Sequence, residues 1–227
     1  MVAELISVGT EILLGNIVNT NAAYLAEKCA LLGLSLYHQS VVGDNEARME
    51  DTIRRALERS DVVILTGGLG PTKDDLTKEV TAKVFKKALC EDAHTKERIM
   101  EFFQKIHNGE KITENNWKQA LIPEGAIIVE NQNGTAPGLI VIGDEGSGYE
   151  GKRAILIPGP PNECIPMFET QIAPYLSDLQ PEGIYSSMVK VCAIGESRAE
   201  TMVADLMDAQ TNPTLALTQK PEKYIFG

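Results

Sequence analysis

Residues 61–75 read DVVILTGGLGPTKDD, and this stretch decides the fold. Its first part, Asp61–Thr66, is a continuous apolar run, the pattern of a strand covered on both faces. The second part turns through three glycines, which let the backbone bend sharply and approach a ligand. Pro71 removes one donor and fixes the exit direction. A helix is predicted from about Thr72 to Leu89. Free N–H groups at its start, with their partial positive charge, suit a phosphate held by Gly67, Gly68, Gly70 and Thr72. The plainer alternative is a tight turn closed by a capping box, Thr72-x-x-Asp75, without a ligand. Asp74 and Asp75 weigh against it. Two carboxylates beside an anion site call for a cation between them, and hard oxygen ligands suit Mg²⁺. Their competing use is to favour the helix dipole, worth roughly 0.3–1 kcal/mol each.

Upstream, Ala3–Val8 is a short apolar strand followed by the loop Gly9–Asn16. A helix from about Asn19 to Leu32 carries Ala22, Leu25, Ala26, Cys29 and Ala30 at helical spacing and stops at Gly33. Cys29 on that stripe reads as core. Leu34–Val42 is the second strand, and Asp44 or Asn45 caps a helix whose stripe is Met49, Ile53, Ala56 and Leu57. Strand–helix alternation of this kind implies parallel βαβ units, hence an α/β fold with a doubly wound, mostly parallel sheet. Downstream, Asp92–Ala120 reads as helical in two pieces around Asn108–Gly109. Ala126–Glu130, Gly138–Ile142 and Arg153–Ile157 are strands, Asp144–Lys152 a glycine-rich hairpin tip, and Pro160–Leu176 a helix. The pattern breaks near Gln180–Gly183. A strand (Ser187–Ala193), a helix (Ser197–Ala209) and an extended stretch follow, so the expected division is an α/β domain over 1–178 and a small α+β subdomain over 179–227.

The totals narrow the function. Of 227 residues, 21 are Lys or Arg and 32 Asp or Glu, a net charge of −11. That balance opposes a nucleic-acid partner, whose surfaces are basic. No apolar run approaches the ~18–20 residues that span a bilayer, so no membrane partner is expected. The N-terminus lacks the zones of a signal peptide, and the cytoplasm is the expected compartment. The four cysteines and three histidines lack zinc-ligand spacing.

Other strand-end loops add candidate site residues. Glu11 follows the first strand, where open α/β sheets place ligands. Asn19 and Asn21 can cap the next helix or contact a ligand, and Asp44 follows the second strand. Gly134 and Thr135 in NGTAPG, and Gly159 in IPGPPNE, belong to two further glycine-rich loops. Either loop could be a turn only. Walker, Gly-x-Ser-x-Gly and His-Glu-x-x-His motifs are missing.

Together SVGTEILLGNIVNTN, VVGDNEARM, TGGLGPTKDDLT, NGTAPG and IPGPPNE resemble the CinA (competence/damage-inducible) family and its MoCF, or molybdopterin-binding-like, domain. The tail, with KVCAIGES and NPTLA, is similar to the KH-like subdomain that follows in CinA proteins. The resemblance implies a metal-dependent nucleotide pyrophosphate hydrolase, converting ADP-ribose to AMP and ribose 5-phosphate. Related domains hydrolyse FAD, and more distant ones bind molybdopterin. The alternatives are therefore a molybdenum-cofactor-type enzyme and a non-catalytic nucleotide-binding module. In the hydrolase reading Asp75, Asp44 and Glu11 are catalytic, Glu11 as general base. Asp75 and Asp74 bind a divalent metal, Mg²⁺ or similar, with K⁺ a further candidate. Asn19, Asn21 and Thr135 contact ribose or base. Asn45 stands where many relatives have a second Asp, which weakens a two-carboxylate role there. The nicotinamide-nucleotide amidase domain common in full CinA proteins is not seen in the sequence. A homodimer or other homo-oligomer is expected, because related domains associate.

Overall fold

A computed structural model describes residues 1–106, 112–180, 189, 191, 193–211 and 215–216. In chain order its elements are β1 (Val2–Val8), α1 (Thr10–Leu13), α2 (Thr20–Leu31), β2 (Ser35–Val42), α3 (Glu46–Arg59), β3 (Val62–Thr66), α4 (Thr77–Val84), β4 (Leu89–Glu91) and α5 (Ala93–Ile106). A 3₁₀ segment (Glu114–Ala120) leads to β5 (Leu121–Pro123), β6 (Ile127–Val129), β7 (Gly138–Ile142) and β8 (Arg153–Ile157). Then come α6 (Pro161–Met167), a π turn (Phe168–Ile172), α7 (Ala173–Leu179) and α8 (Glu196–Asp208). The chain divides into two compact units, Met1–Tyr185 and Ser186–Gly227.

The main sheet has the order β2-β1-β3-β8-β7-β6. Its first four strands run parallel, β7 runs antiparallel to both of its neighbours, and β6 therefore points the same way as the first four. Every residue of β3 is buried, and alternate side chains serve opposite faces. Val63 and Leu65 join Ile6, Val8, Leu156 and the stripe of α3, Met49, Ile53, Ala56 and Leu57, together with Val80 and Val84 of α4. Val62 and Ile64 join Leu5, Ile155, Leu25 and Cys29, with Met167, Phe168 and Leu176 from the last helices of this unit. Helices therefore cover both faces, which is why β3 needs apolar side chains at every position. Ala30, expected on the buried stripe of α2, is exposed.

Four expectations need correction. The loop after β1 contains a helical turn, α1, whose Thr10 amide and hydroxyl both donate to Asp44 Oδ2, at 3.0 and 2.8 Å. The helix expected from Thr72 begins at Thr77, so residues 67–76 form a long loop. It ends at Val84, and Lys86 adopts a positive φ of 57°. Leu89, expected to end that helix, instead begins the strand Leu89–Glu91, which pairs antiparallel with Leu121–Pro123. The 3₁₀ segment replaces the second expected helical piece.

In the second unit, α8 has no buried residue, and Met202 and Leu206 are each 66% exposed. The strand expected over Ser187–Ala193 falls mostly outside the described residues, as do the break at Asn108–Gly109 and the final extended stretch. Among the described residues, no helix is long and apolar enough to cross a membrane.

Candidate functional site

The chain leaves β1 for β2 on one side, then crosses back to β3 on the other. Loops after β1 and β3 diverge at this switch, and open α/β sheets bind ligands in the crevice so formed. An open crevice of about 730 Å³ lies here, lined by the loops after β1, β2, β3 and β8 and by 133–136. Glycine makes the loops fit together. Gly67, at φ 97°, packs so close to β1 that an added Cβ would lie 2.3 Å from the Val8 carbonyl oxygen. At Gly68, φ 67°, a Cβ would meet the Thr77 hydroxyl at 2.2 Å. The residue that starts α4 is tied to the same loop: Thr77 donates from its amide to Gly68 O at 3.1 Å and from its hydroxyl to Gly67 O at 2.8 Å.

With helix α4 starting later than expected, an anion at this rim would meet the amides of the loop itself. The amides of Gly68, Leu69 and Gly70 donate to no protein acceptor among the described residues. Successive free amides after residues at positive φ form a concave nest for an anion. The carboxylates surround it. Asp75 lies beneath Gly70, where an added Cβ would be 2.5 Å from Asp75 Oδ2. That oxygen accepts from the Thr72 amide at 2.9 Å and from the Thr72 hydroxyl at 2.5 Å. The same hydroxyl also contacts Asp74, holding its carboxyl below the ordinary carboxylate value. The hydrogen bonds that the Asp44 and Asp75 carboxylates accept end on Oδ2, leaving Oδ1 of each without a partner among the described residues. Glu11 folds back against Gly9, where an added Cβ would be 2.5 Å from its Oε1.

Of the residues singled out from the sequence, Glu11, Asn19, Asn21, Asp44, Asp74 and Asp75 line the crevice with Gly67, Gly68, Gly70, Gly134, Thr135 and Gly159. Thr72 does not. Its exposed side chain braces Asp74 and Asp75 from outside. Asn19 is occupied by the fold, its oxygen capping α2 through Ala22 N at 3.2 Å and its nitrogen donating to Ser7 Oγ at 2.8 Å. Asn45, not Asp44, caps α3, accepting from Arg48 N at 3.1 Å. Asp44 is thereby left to α1 and the crevice.

Sequence reasoning missed several residues. Lys118 Nζ donates to Thr72 O at 2.9 Å and to Asp75 O, pinning the acidic loop to the 3₁₀ segment. Lys78, on α4, donates to Lys118 O, and burial pushes its ammonium down to about 8. Glu163 lines the crevice, accepts from Asn131 Nδ2 at 2.6 Å, and has its carboxyl raised by burial. Gln119 and Phe102 also reach the lining. Glu163 closes the IPGPPNE loop, whereas the others sit in no motif with a local signature and arrive by tertiary packing. Among the described residues, no three His, Cys, Asp or Glu side chains gather to hold a metal by themselves. A metal held by Asp74 or Asp75 would therefore take further oxygens from the ligand or water, as Mg²⁺ commonly does.

The model of a probable molybdopterin binding domain matches residues 4–178. A CinA-like protein of Dictyoglomus turgidum is 51% identical over 216 residues, 95% of this chain and 51% of the relative. The chain thus spans about half the length of the curated relatives it matches. The crystal structure of the protein CinA with unknown function from Thermoplasma acidophilum is 37% identical, covers 75% of this chain and 95% of its own, and superposes with a TM-score of 0.64. A molybdopterin biosynthesis protein from Mycobacterium abscessus shares the fold at 16% identity, with 78% of this chain and 92% of its own covered and a TM-score of 0.50.

Proposed function

This chain belongs to the CinA family, with the probable molybdopterin-binding (MoCF) domain, and on that premise we propose that its crevice binds a phosphorylated, nucleotide-like small molecule and hydrolyses its pyrophosphate. ADP-ribose, giving AMP and ribose 5-phosphate, is the substrate the family resemblance favours. One juxtaposition supports the reading: the free amides of Gly68–Gly70 lie in one crevice with Asp44, Asp74 and Asp75, none of which forms an ion pair with a described Lys or Arg. Uncompensated carboxylates beside an anion nest make electrostatic sense when a cation arrives with the phosphate.

In this reading the three amides hold a phosphate and fix its phosphorus in place. Asp75 and Asp74 hold the divalent metal, and Asp44 offers its free Oδ1 to the metal or to the attacking water. Glu11 takes the proton from that water. The metal, when bound, neutralises charge on the phosphate oxygens. Positioning and neutralisation together carry the reaction.

A second reading, molybdopterin binding as in cofactor biosynthesis, is supported by the family description more directly than hydrolysis is. Product analysis separates the two. The protein is incubated with ADP-ribose and FAD, with and without Mg²⁺, and pterin binding is followed by fluorescence. Metal-dependent release of AMP that is lost in Asp75→Asn supports the hydrolase. Pterin binding without cleavage moves the assignment to the second reading, and nucleotide binding without any product makes the crevice a non-catalytic module.

A further inference from the structure

Glu163 stands apart from the other carboxylates of the crevice. Asp44, Asp74 and Asp75 follow β2 and β3, whereas Glu163 lies in the first turn of α6, after β8 on the far side of β3. Its side chain lines the crevice. Oε2 accepts from Asn131 Nδ2 at 2.6 Å and tucks beneath Gly134, where an added Cβ would lie 2.2 Å from it. Oε1 has no hydrogen-bond partner among the described residues and, unlike both oxygens of Glu79, is not shut away from solvent. No described cation pairs with it. Tyr24 and Lys28 of α2, the helix packed on α6, are both engaged by Glu169 of the π turn. The thiols of Cys29 and Cys164 are buried, pushed up to about 12, and neutral. The loop 131–136 brings amides and no charge.

Burial raises the Glu163 carboxyl, and the bond from Asn131 offsets part of the rise. A cation shared with the aspartates does not relieve it, because no three His, Cys, Asp or Glu side chains gather among the described residues. A proton does. An ionised Glu163 repels an anionic ligand from a wall that has no compensating charge, while the neutral acid donates its O–H to an oxygen of that ligand. We propose that Glu163 is a specificity-determining residue that enters binding as a neutral acid, so that a phosphorylated ligand takes up a proton from solvent at Glu163 as it fills the crevice. The inference rests on the phosphate reading above and adds to it a proton-linked regulation of the same site. Linkage fixes the sign. The ligand's negative charge favours the protonated form, so affinity is level at low pH and falls as pH rises through the raised carboxyl value. Asp74, held below the ordinary carboxylate value, stays ionised across that range.

Calorimetric titration of ADP-ribose into the metal-free protein tests this, run in buffers of differing ionisation enthalpy so that protons are counted. ADP-ribose suits the purpose because neither of its phosphates carries the monoester ionisation near about pH 6. The intact protein is expected to take up at least about half a proton near about pH 7, and to lose at least about threefold in affinity between about pH 6 and 8. Glu163→Gln keeps an oxygen for Asn131 and an N–H for the ligand. It should bind with no uptake and no such loss, matching the intact protein at the acid end. Binding without proton uptake by the intact protein overturns the inference and leaves the phosphate reading standing. Equal uptake in Glu163→Gln puts the proton on another group and overturns it as well. Failure of ADP-ribose to bind at any pH overturns the phosphate reading together with the inference.

Discussion

Glu4 and Asp75 belong to opposite ends of the same parallel sheet, and the fold treats their charges differently. Glu4, in the first half of β1, has no exposure, and its carboxylate accepts from Arg59 Nε at 2.9 Å and Nη2 at 2.7 Å. The Ser60 hydroxyl adds a third contact at 3.4 Å. This charge is fully answered within the protein, as a buried carboxylate must be. At the carboxyl ends of the strands, Asp44, Asp74 and Asp75 receive hydroxyl and amide hydrogens, and none forms an ion pair with a described cation. Lys118, whose charge helps to lower the Asp74 carboxyl, donates to the backbone carbonyls of Thr72 and Asp75 rather than pairing with a rim carboxylate. A fold able to neutralise a carboxylate completely at one end leaves several uncompensated at the other. In the proposed reading, that asymmetry separates structural charge from charge kept for a ligand.

Substitutions at each end sharpen the contrast. Asp75→Asn keeps the shape and the Thr72 contacts but removes the charge, so metal-dependent turnover should fall by about a hundredfold or more. Its thermal midpoint should hold or rise, since crowded like charges are relieved; a folded Asp75→Asn protein with full turnover breaks the comparison. Arg59→Met does the reverse: stability drops because Glu4 is left buried and unpaired, while ligand binding measured below the melting range persists. Adding Glu4→Gln to Arg59→Met should recover part of the loss, and denaturant titration of the two variants and the double checks this.

Smaller effects probe what holds the acidic loop. Lys118→Met frees the carbonyls of Thr72 and Asp75, and KM for a phosphorylated substrate should rise about three- to tenfold with a lesser change in kcat. Glu163 gives the smallest signal. Burial raises its carboxyl, so the folded state favours the protonated form. Its contribution to stability is present below the ordinary carboxylate value and is lost as pH rises through the raised one. Glu163→Gln, which stays neutral, should flatten that part of the pH–stability curve.

How much of this was legible follows from where each signal lives. The DVVILT run and the stripe of α3 show in the sequence because the burial of both sheet faces is written locally, residue by residue. The Thr72-x-x-Asp75 pattern misled for an instructive reason. One of its two capping contacts forms, the Thr72 amide donating to Asp75, yet it closes a turn, and the helix waits until Thr77. The competing partner is Lys118, more than forty residues away, and no local pattern announces it. The pairing of Leu89–Glu91 with Leu121–Pro123 was hidden in the same way, since three-residue strands carry too few side chains to show alternation. Twelve of the thirteen residues singled out at the rim fell on the crevice because strand-end loops of a mostly parallel sheet converge by topology. The exception was Thr72. Glu163 arrives with the IPGPPNE loop, while Gln119 and Lys118 reach the site only through the packing of the 3₁₀ segment.

The account's central claim is that the rim carboxylates are completed by a cation that comes with a phosphate. Calorimetric titration of Mg²⁺ into the protein, with and without saturating ADP-ribose, tests it most directly. Because no three protein carboxylates gather into a cage, Mg²⁺ alone should bind weakly, and the nucleotide should tighten it by about tenfold or more, with the reciprocal gain in nucleotide affinity. Mg²⁺ binding that is indifferent to the nucleotide would contradict the claim.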